Sequence, residues 1–314
     1  MSHNFPTTSI VTGGAGFIGS HLVDRLVQRG DRVLIVDDMS TGCYANVREG
    51  ATILERSVND PKLKQEFKAW NPQVVFHLAA QVSVSQSVRS PELDAQTNIL
   101  GSLNVLSATQ DSGCPRLIFT SSGGAVYGEP DYLPVTEDHP IRPVSPYGVS
   151  KAAFELYAKS LSTHKSTDVT VLRLGNVYGP RQRSLGEAGV VSIFTDQILN
   201  GRPVSIFGDG TDERDYVYVS DVVDAMLKAS DQRESNVFNV GTGIGTSTMA
   251  LFLKIVKIIG IDGNFDFRDR REGDIRQSRL DCSKVRACVG WKSKVALDTG
   301  LQETIEYLRS VQRR

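Results

Sequence analysis

Tyr147 and Lys151 stand four residues apart in the stretch Ser145-Pro146-Tyr147-Gly148-Val149-Ser150-Lys151. The apolar residues Val149, Ala152, Ala153, Leu156 and Tyr157 then recur at i, i+3, i+4 and i+7 spacing, which predicts a helix with these residues as its apolar face. Side chains four apart on a helix lie one above the other. An ammonium beside a phenol favours the phenolate and lowers the tyrosine pKa from its usual value of about 10. Such a pair suits general acid–base work near neutrality. A helix with an ordinary surface lysine has the same spacing, so the surrounding chain must decide.

A third hydroxyl stands nearby in the pattern. Arg116–Ser121 reads as an apolar strand, and Ser122-Gly123-Gly124 follows it directly. A hydroxyl at Ser122 could hydrogen-bond a substrate hydroxyl and share its proton with Tyr147. His77 falls inside the apolar run Val74–Ala80, a strand buried on both faces, and reads as a core histidine.

These groups need a frame. Ser9–Thr12 is a short strand, followed at once by Gly13-Gly14-Ala15-Gly16-Phe17-Ile18-Gly19 and a helical pattern from about Ser20 to Arg29. Strand, glycine-rich turn and helix stand in the order that a dinucleotide site requires. Gly14 and Gly16 would let the backbone approach a pyrophosphate at the helix N-terminus, and Gly19 would allow close helix–sheet packing. The next strand, Arg32–Asp37, ends in a carboxylate that can accept from ribose hydroxyls and would repel a 2′-phosphate. NAD is therefore expected over NADP.

Strand and helix patterns alternate to about residue 173, predicting an α/β fold with a doubly wound parallel sheet of Rossmann type. Ligands of such a sheet gather at the carboxyl ends of its strands, which puts the glycine turn, Asp37, Ala79-Ala80 and Ser122 on one rim. Leu93–Leu106 reads as one long helix. Val190–Leu199 reads as a helix, Val204–Phe207 as a strand, and the chain after Thr246 as two helical stretches around Phe265–Phe267. With no linker between the halves, the expected organisation is interleaved. Residues 1–173 and about 215–243 form the dinucleotide domain; about 174–214 and 244–314 form a smaller mixed α/β substrate lobe.

Composition excludes several classes. The 314 residues hold 35 basic and 36 acidic side chains, so no net field draws the chain to nucleic acid or an anionic membrane. No apolar run approaches the roughly 20 residues that span a bilayer. The first residues lack a signal-peptide pattern. Cys43, Cys114, Cys282 and Cys288 form no disulfide or metal framework. A cytoplasmic protein with no metal is expected.

Taken together, Thr12–Gly19, His77–Ala80, Ser121-Ser-Gly-Gly-Ala-Val-Tyr-Gly128, Ser145–Lys151, Arg173-Leu-Gly-Asn-Val-Tyr-Gly-Pro180 and Arg271-Glu-Gly-Asp274 resemble the extended short-chain dehydrogenase/reductases. Within the NAD-dependent epimerase/dehydratase family, the likeness is to the UDP-glucose 4-epimerase branch and covers essentially the whole chain. The resemblance implies NAD held by Gly13, Gly14, Gly16, Phe17, Ile18, Gly19, Asp37, Ser40, Leu78, Ala79 and Ala80, with Tyr147 and Lys151. It implies a UDP-sugar held by Ser122, Asn176, Val190, Val191, Ile206, Phe207, Arg214, Arg271, Asp274 and Ser278. Ser57 stands where relatives often carry an aspartate against adenine. Ser278 stands where some carry a bulky tyrosine, which implies room for a 2-acetamido group. The helices near 93–106 and 149–161 resemble those that pair in family homodimers as a four-helix bundle. Rival readings are a 4,6-dehydratase, a UDP-glucuronate decarboxylase, a uronate 4-epimerase and a non-catalytic NAD-binding sensor. Gly123 and Gly124 supply none of the acidic groups that dehydration or decarboxylation enzymes carry there.

Overall fold

Short apolar runs build the centre of the molecule. Strands β1 (Thr8–Thr12), β2 (Arg32–Asp37), β3 (Thr52–Glu55), β4 (Val74–His77), β5 (Arg116–Ser122) and β6 (Asp168–Leu174) join β10 (Asn236–Val240) in one parallel sheet. The computed structural model describes residues 7–162, 167–183, 189–270 and 274–312. The strand order is β10-β6-β5-β4-β1-β2-β3. The chain thus winds outward in both directions from the β1–β4 neighbours, and a crevice opens at their carboxyl ends.

β1 and β4 are buried along almost their whole length because helices cover both faces. On one face, α1 (Phe17–Gln28) contributes Leu22, Val23 and Leu26, and α8 (Val219–Ser230) contributes Val222 and Met226. Val285 of α10 (Ser283–Val289) and the following Trp291 join that layer. On the other face lie α2 (Leu63–Trp70), α5 (Ser102–Asp111) and α6 (Pro146–Ser162), through Phe67, Leu106 and Phe154. This is the doubly wound Rossmann-type architecture.

A second core forms from later segments. A small sheet pairs β7 (Asn176–Tyr178), β9 (Glu213–Tyr218) and β11 (Gly245–Ser247), while β8 (Val204–Phe207) pairs in parallel with β12 (Phe265–Arg268). Helices α7 (Val190–Leu199), α9 (Thr248–Ile259) and α11 (Leu297–Gln312) enclose Phe194, Ile206, Leu251, Ile255 and Leu301. No described helix is long and apolar enough to cross a membrane.

Two local expectations gain detail and a third is corrected. The predicted helix over 93–106 forms, inside a continuous helical run made of α4 (Pro91–Ala95), a π-helical segment Gln96–Gly101 and α5, with α3 (Val84–Arg89) just before. Within the π segment Asn98 ties the helix to the loop after β4: its Nδ2 donates to Gln81 O at 2.8 Å and to Asp94 Oδ1 at 3.0 Å. On α6 the apolar stripe faces outward, with Val149 50 %, Leu156 64 % and Tyr157 49 % exposed. Its sheet side carries Lys151, Ala152, Phe154, Glu155 and Ala158 instead. Among the described residues the chain after Thr246 forms three helices and β12, not two helices.

Candidate active site

The turn between β1 and α1 is built by close approach. Gly13 has φ +71°, and a Cβ there would lie 2.7 Å from Ala79 N. A Cβ on Gly19 would fall 2.1 Å from Gly13 O. One on Gly14 would press the Ile35 side chain at 2.9 Å, so this glycine serves strand packing as well as the turn. Gly16 is the N-cap of α1, and no side chain caps the helix. The first-turn N–H groups of α1 are therefore offered to an anion. Phe17 and Ile18 direct their side chains against the second core, so they can meet a ligand there through main chain.

Asp37 closes the other side of this cradle. Its carboxylate accepts from Ala15 N and Met39 N, both at 3.0 Å, and burial raises its pKa. Two backbone donors leave a carboxylate with acceptor capacity for ribose hydroxyls. Ser40 is exposed and bonds to Asp38 Oδ1, while Leu78, Ala79 and Ala80 continue from β4 along the same rim. These features fit a dinucleotide with a free ribose 2′-hydroxyl. Ser57, beyond β3, uses its Oγ to accept from Asn59 N at 3.2 Å.

The hydroxyl pair sits at the end of β5. Ser122 is hydrogen-bonded to the Tyr147 phenol, an interaction that favours the phenolate. Burial is the larger effect and pushes Tyr147 up to about 12; the charge of Asp94 adds to the rise. The expected lowering by Lys151 does not govern this arrangement. Lys151 is itself depressed to about 8 by burial, opposed by Asp94 and Glu155. Its Nζ donates to Thr120 O at 3.0 Å, anchoring the ammonium on the last turn of β5. His77 belongs to the core: it bonds Thr12 Oγ1 at 2.7 Å and Ser102 Oγ at 2.8 Å, and burial lowers it to about 3.

A cleft of about 240 Å³ opens beside Ser122 and Tyr147 and brings in Asn176, Arg214 and Asp274 from the second half of the chain. Asn176 stands at the start of β7; Arg214 on β9 donates from Nη1 to Glu213 O at 2.9 Å and to Arg276 O at 3.3 Å. A Cβ placed on Gly124 would lie 3.6 Å from Asn176 Oδ1 and 4.0 Å from both Ser122 Oγ and Ser278 Oγ. Ser278, buried and held by its N–H on Glu213 O, therefore faces the same space. A larger hollow of about 440 Å³ lies between Asp24, Arg181 and residues 45–50 and contains none of the proposed chemical groups.

Other predicted residues fall differently. Val191 and Ile206 are buried in the second core, with Val190 packed at its edge, so any ligand contact by Val191 or Ile206 would be through main chain. Phe207 is half-buried at the end of β8. Arg271 lies outside the described residues. Sequence reasoning missed Val84, Ala125, Val144, Ser145, Gly175 and Ile275 as cleft walls. Most are small or apolar and carry no chemical signal; Ser145 could have been suggested by its place two before Tyr147.

Comparison with known proteins agrees with this geometry. Residues 9–241 match the NAD dependent epimerase/dehydratase family. The chain is 42% identical over 308 residues to a UDP-glucose 4-epimerase of Mycolicibacterium smegmatis, covering 96% of this chain and 98% of that one. It is similar to the crystal structure of a UDP-glucose 4-epimerase with UDP-glucose from Thermotoga maritima, at 46% identity and TM-score 0.95, over 97% and 99% of the two chains. A UDP-N-acetylglucosamine 4-epimerase from Methanobrevibacter ruminantium, in complex with UDP-N-acetylmuramic acid, is 35% identical with TM-score 0.93 over 99% and 100%.

Proposed function

The chain belongs to the NAD-dependent epimerase/dehydratase family, and from that premise we propose that it inverts C4 of UDP-hexoses. UDP-glucose and UDP-galactose are the principal pair, with their N-acetylhexosamine counterparts also accepted. The observation that carries this reading is the Ser122–Tyr147 hydroxyl pair in the cleft, with only glycine at 123 and 124 beside it. One proton relay suffices for C4 inversion. A dehydratase must also remove a C5 proton and expel the C6 hydroxyl, and these glycines offer no group for that. A side chain at Gly123 would meet Leu280 at 2.7 Å.

In this reading the glycine turn, the α1 N-terminus and Asp37 hold NAD. When bound, NAD supplies the acceptor and donor of hydride at C4, so a transient 4-keto sugar forms and is reduced again with no net redox change. Tyr147 takes the C4 hydroxyl proton and later returns it. Ser122 bridges that hydroxyl and the phenol. Lys151 holds its ammonium near the end of β5, where it would bind the nicotinamide ribose. Arg214 and Arg271 pair with the diphosphate, to which guanidinium forks are matched. Asn176 contacts the phosphate or sugar, and Asp274 the uridine ribose. The sugar must stay free to turn over while its nucleotide is gripped.

The two-lobe division proposed from sequence is supported by the separate sheets, with two refinements: β9 pairs in the small sheet, and α10 with Trp291 lies on the large one. A homodimer is proposed through the outward faces of α4–α6, where Leu93, Leu100, Val149, Leu156 and Tyr157 are all exposed. Light scattering on Leu156→Glu should then report half the wild-type mass; an unchanged mass would remove this interface. The four free cysteines suit the cytoplasm.

The test of the reaction is incubation with UDP-galactose and no added NAD, followed by proton NMR. UDP-glucose should appear. A 4-keto-6-deoxy product, or no turnover even with NAD supplied, would overturn the reading.

A further inference from the structure

Asp94 on α4 is a carboxylate only 1 % exposed that the mechanism above leaves unused. Its Oδ1 accepts from Gln81 Nε2 at 2.9 Å and from Asn98 Nδ2 at 3.0 Å. Both donors are neutral amides, so the charge is buried without a contacting cation among the described residues. Such a charge is costly unless compensated nearby.

The amides lead to the catalytic helix. Gln81 N donates to Asn98 Oδ1 at 2.9 Å, and Asn98 Nδ2 also reaches Ser150 Oγ at 3.3 Å. Ser150 in turn donates to Tyr147 O at 2.9 Å. One polar knot thus joins α4, the π segment, the loop after Ala80 and the first turn of α6, between Tyr147 and Lys151. The charged and titratable groups around Lys151 are Asp94 on α4, Tyr147 and Glu155 on α6, Arg173 on β6 and His77 on β4. Glu155 is already matched, since Arg173 donates to it from Nε at 3.1 Å and from Nη2 at 2.6 Å. His77 is held neutral by burial. Lys151 and Asp94 remain as buried cation and anion, neither with an oppositely charged group in contact among the described residues.

We propose that Asp94 is the counter-charge of Lys151 and a positioning residue that sets the pH range in which the Tyr147–Lys151 pair works. It acts through those two side chains and does not touch substrate. Its effect on each has the same sign: it opposes the depression of Lys151 and adds to the elevation of Tyr147. Removing the charge must move both titrations down.

For its activity readout this proposal rests on the epimerase reading; for its titration readout it does not. Asp94→Asn keeps the shape and an acceptor oxygen for both amides. Both limbs of the kcat–pH profile with UDP-galactose should move to lower pH by about one unit, the order expected for one buried neighbouring charge. KM should stay within about twofold, and Asp94→Glu should restore the profile. In parallel, NMR of the holoenzyme with ¹³C-labelled lysine ε-carbons should show Lys151 titrating lower in Asp94→Asn. A slower enzyme with an unshifted profile means a merely structural role and overturns the proposal. An unmoved Lys151 titration overturns it even where no UDP-sugar reacts. If Asp94→Asn alone does not fold, Asp94→Asn/Lys151→Met, lacking both charges, should fold; its failure too would overturn the pairing.

Discussion

Lys151 Nζ lies 5.9 Å from the centre of the Tyr147 ring and only 3.0 Å from the carbonyl oxygen of Thr120. The lysine shares a helix with the tyrosine, yet its ammonium is turned to the carboxyl end of β5, over the Phe119 ring at 4.8 Å. It is thereby part of the sheet rim on which the site is built. Buried there, it is easier to deprotonate than in water.

That depression has a thermodynamic consequence. Lys151 titrates at about 8 in the folded protein against 10.5 for an ordinary lysine, so between these values the unfolded chain binds more protons. Stability from this residue must rise with pH across that window. Urea unfolding from pH 8 to 10 should therefore show the wild type gaining on Lys151→Met, by up to about 3 kcal/mol. A constant difference between the two proteins would contradict the buried ammonium.

Gly19 offers a test of the cofactor cradle. A Cβ at 2.1 Å from Gly13 O meets backbone, which cannot swing aside. Gly19→Ala should cost about 1–3 kcal/mol in unfolding experiments, as overpacking does. The wild type should co-purify with NAD and Gly19→Ala should not, read from the absorbance of the released cofactor. Full retention of NAD would mean that α1 does not need to approach the turn so closely.

Much of this candidate site is legible in the sequence because its signals are local. Glycines at 13, 14, 16 and 19, a carboxylate ending β2 and the Tyr147–Lys151 spacing each fall within one strand–turn–helix unit. What stayed hidden depends on tertiary partners. Val149, Leu156 and Tyr157 read as one apolar face, and spacing cannot say whether that face meets the sheet or, as here, points outward. Arg173 and Glu155 carry no apolar signal, yet they pair inside with 5 % side-chain exposure each. The π segment holds Asn98, whose partner Gln81 lies 17 residues away in the sequence and gives no local signal. Every residue of β12 is exposed, Phe265 at 38 % and Phe267 at 54 %, and among the described residues the strand pairs with β8 alone, so its alternation marks no buried face.

Ser278 governs the breadth of the sugar pocket in this account. Its Oγ and the Cβ position of Gly124 are 4.0 Å apart, so a larger side chain at 278 would enter the space beside Ser122 and Asn176. Ser278→Tyr should lower kcat/KM for UDP-N-acetylgalactosamine by about tenfold or more, the scale of steric discrimination worth 1–3 kcal/mol. UDP-galactose turnover should change much less. Equal losses on both sugars, with thermal stability unchanged, would show that Ser278 does not sense the 2-substituent.

The most direct measurement follows UDP-galactose deuterated at C4 through turnover in ordinary water. If one Ser122–Tyr147 relay serves a hydride that never leaves the site, UDP-glucose will carry the deuterium at C4 and no solvent hydrogen at any carbon. Loss of the label to solvent, or exchange at C5, would contradict C4 inversion by a retained cofactor.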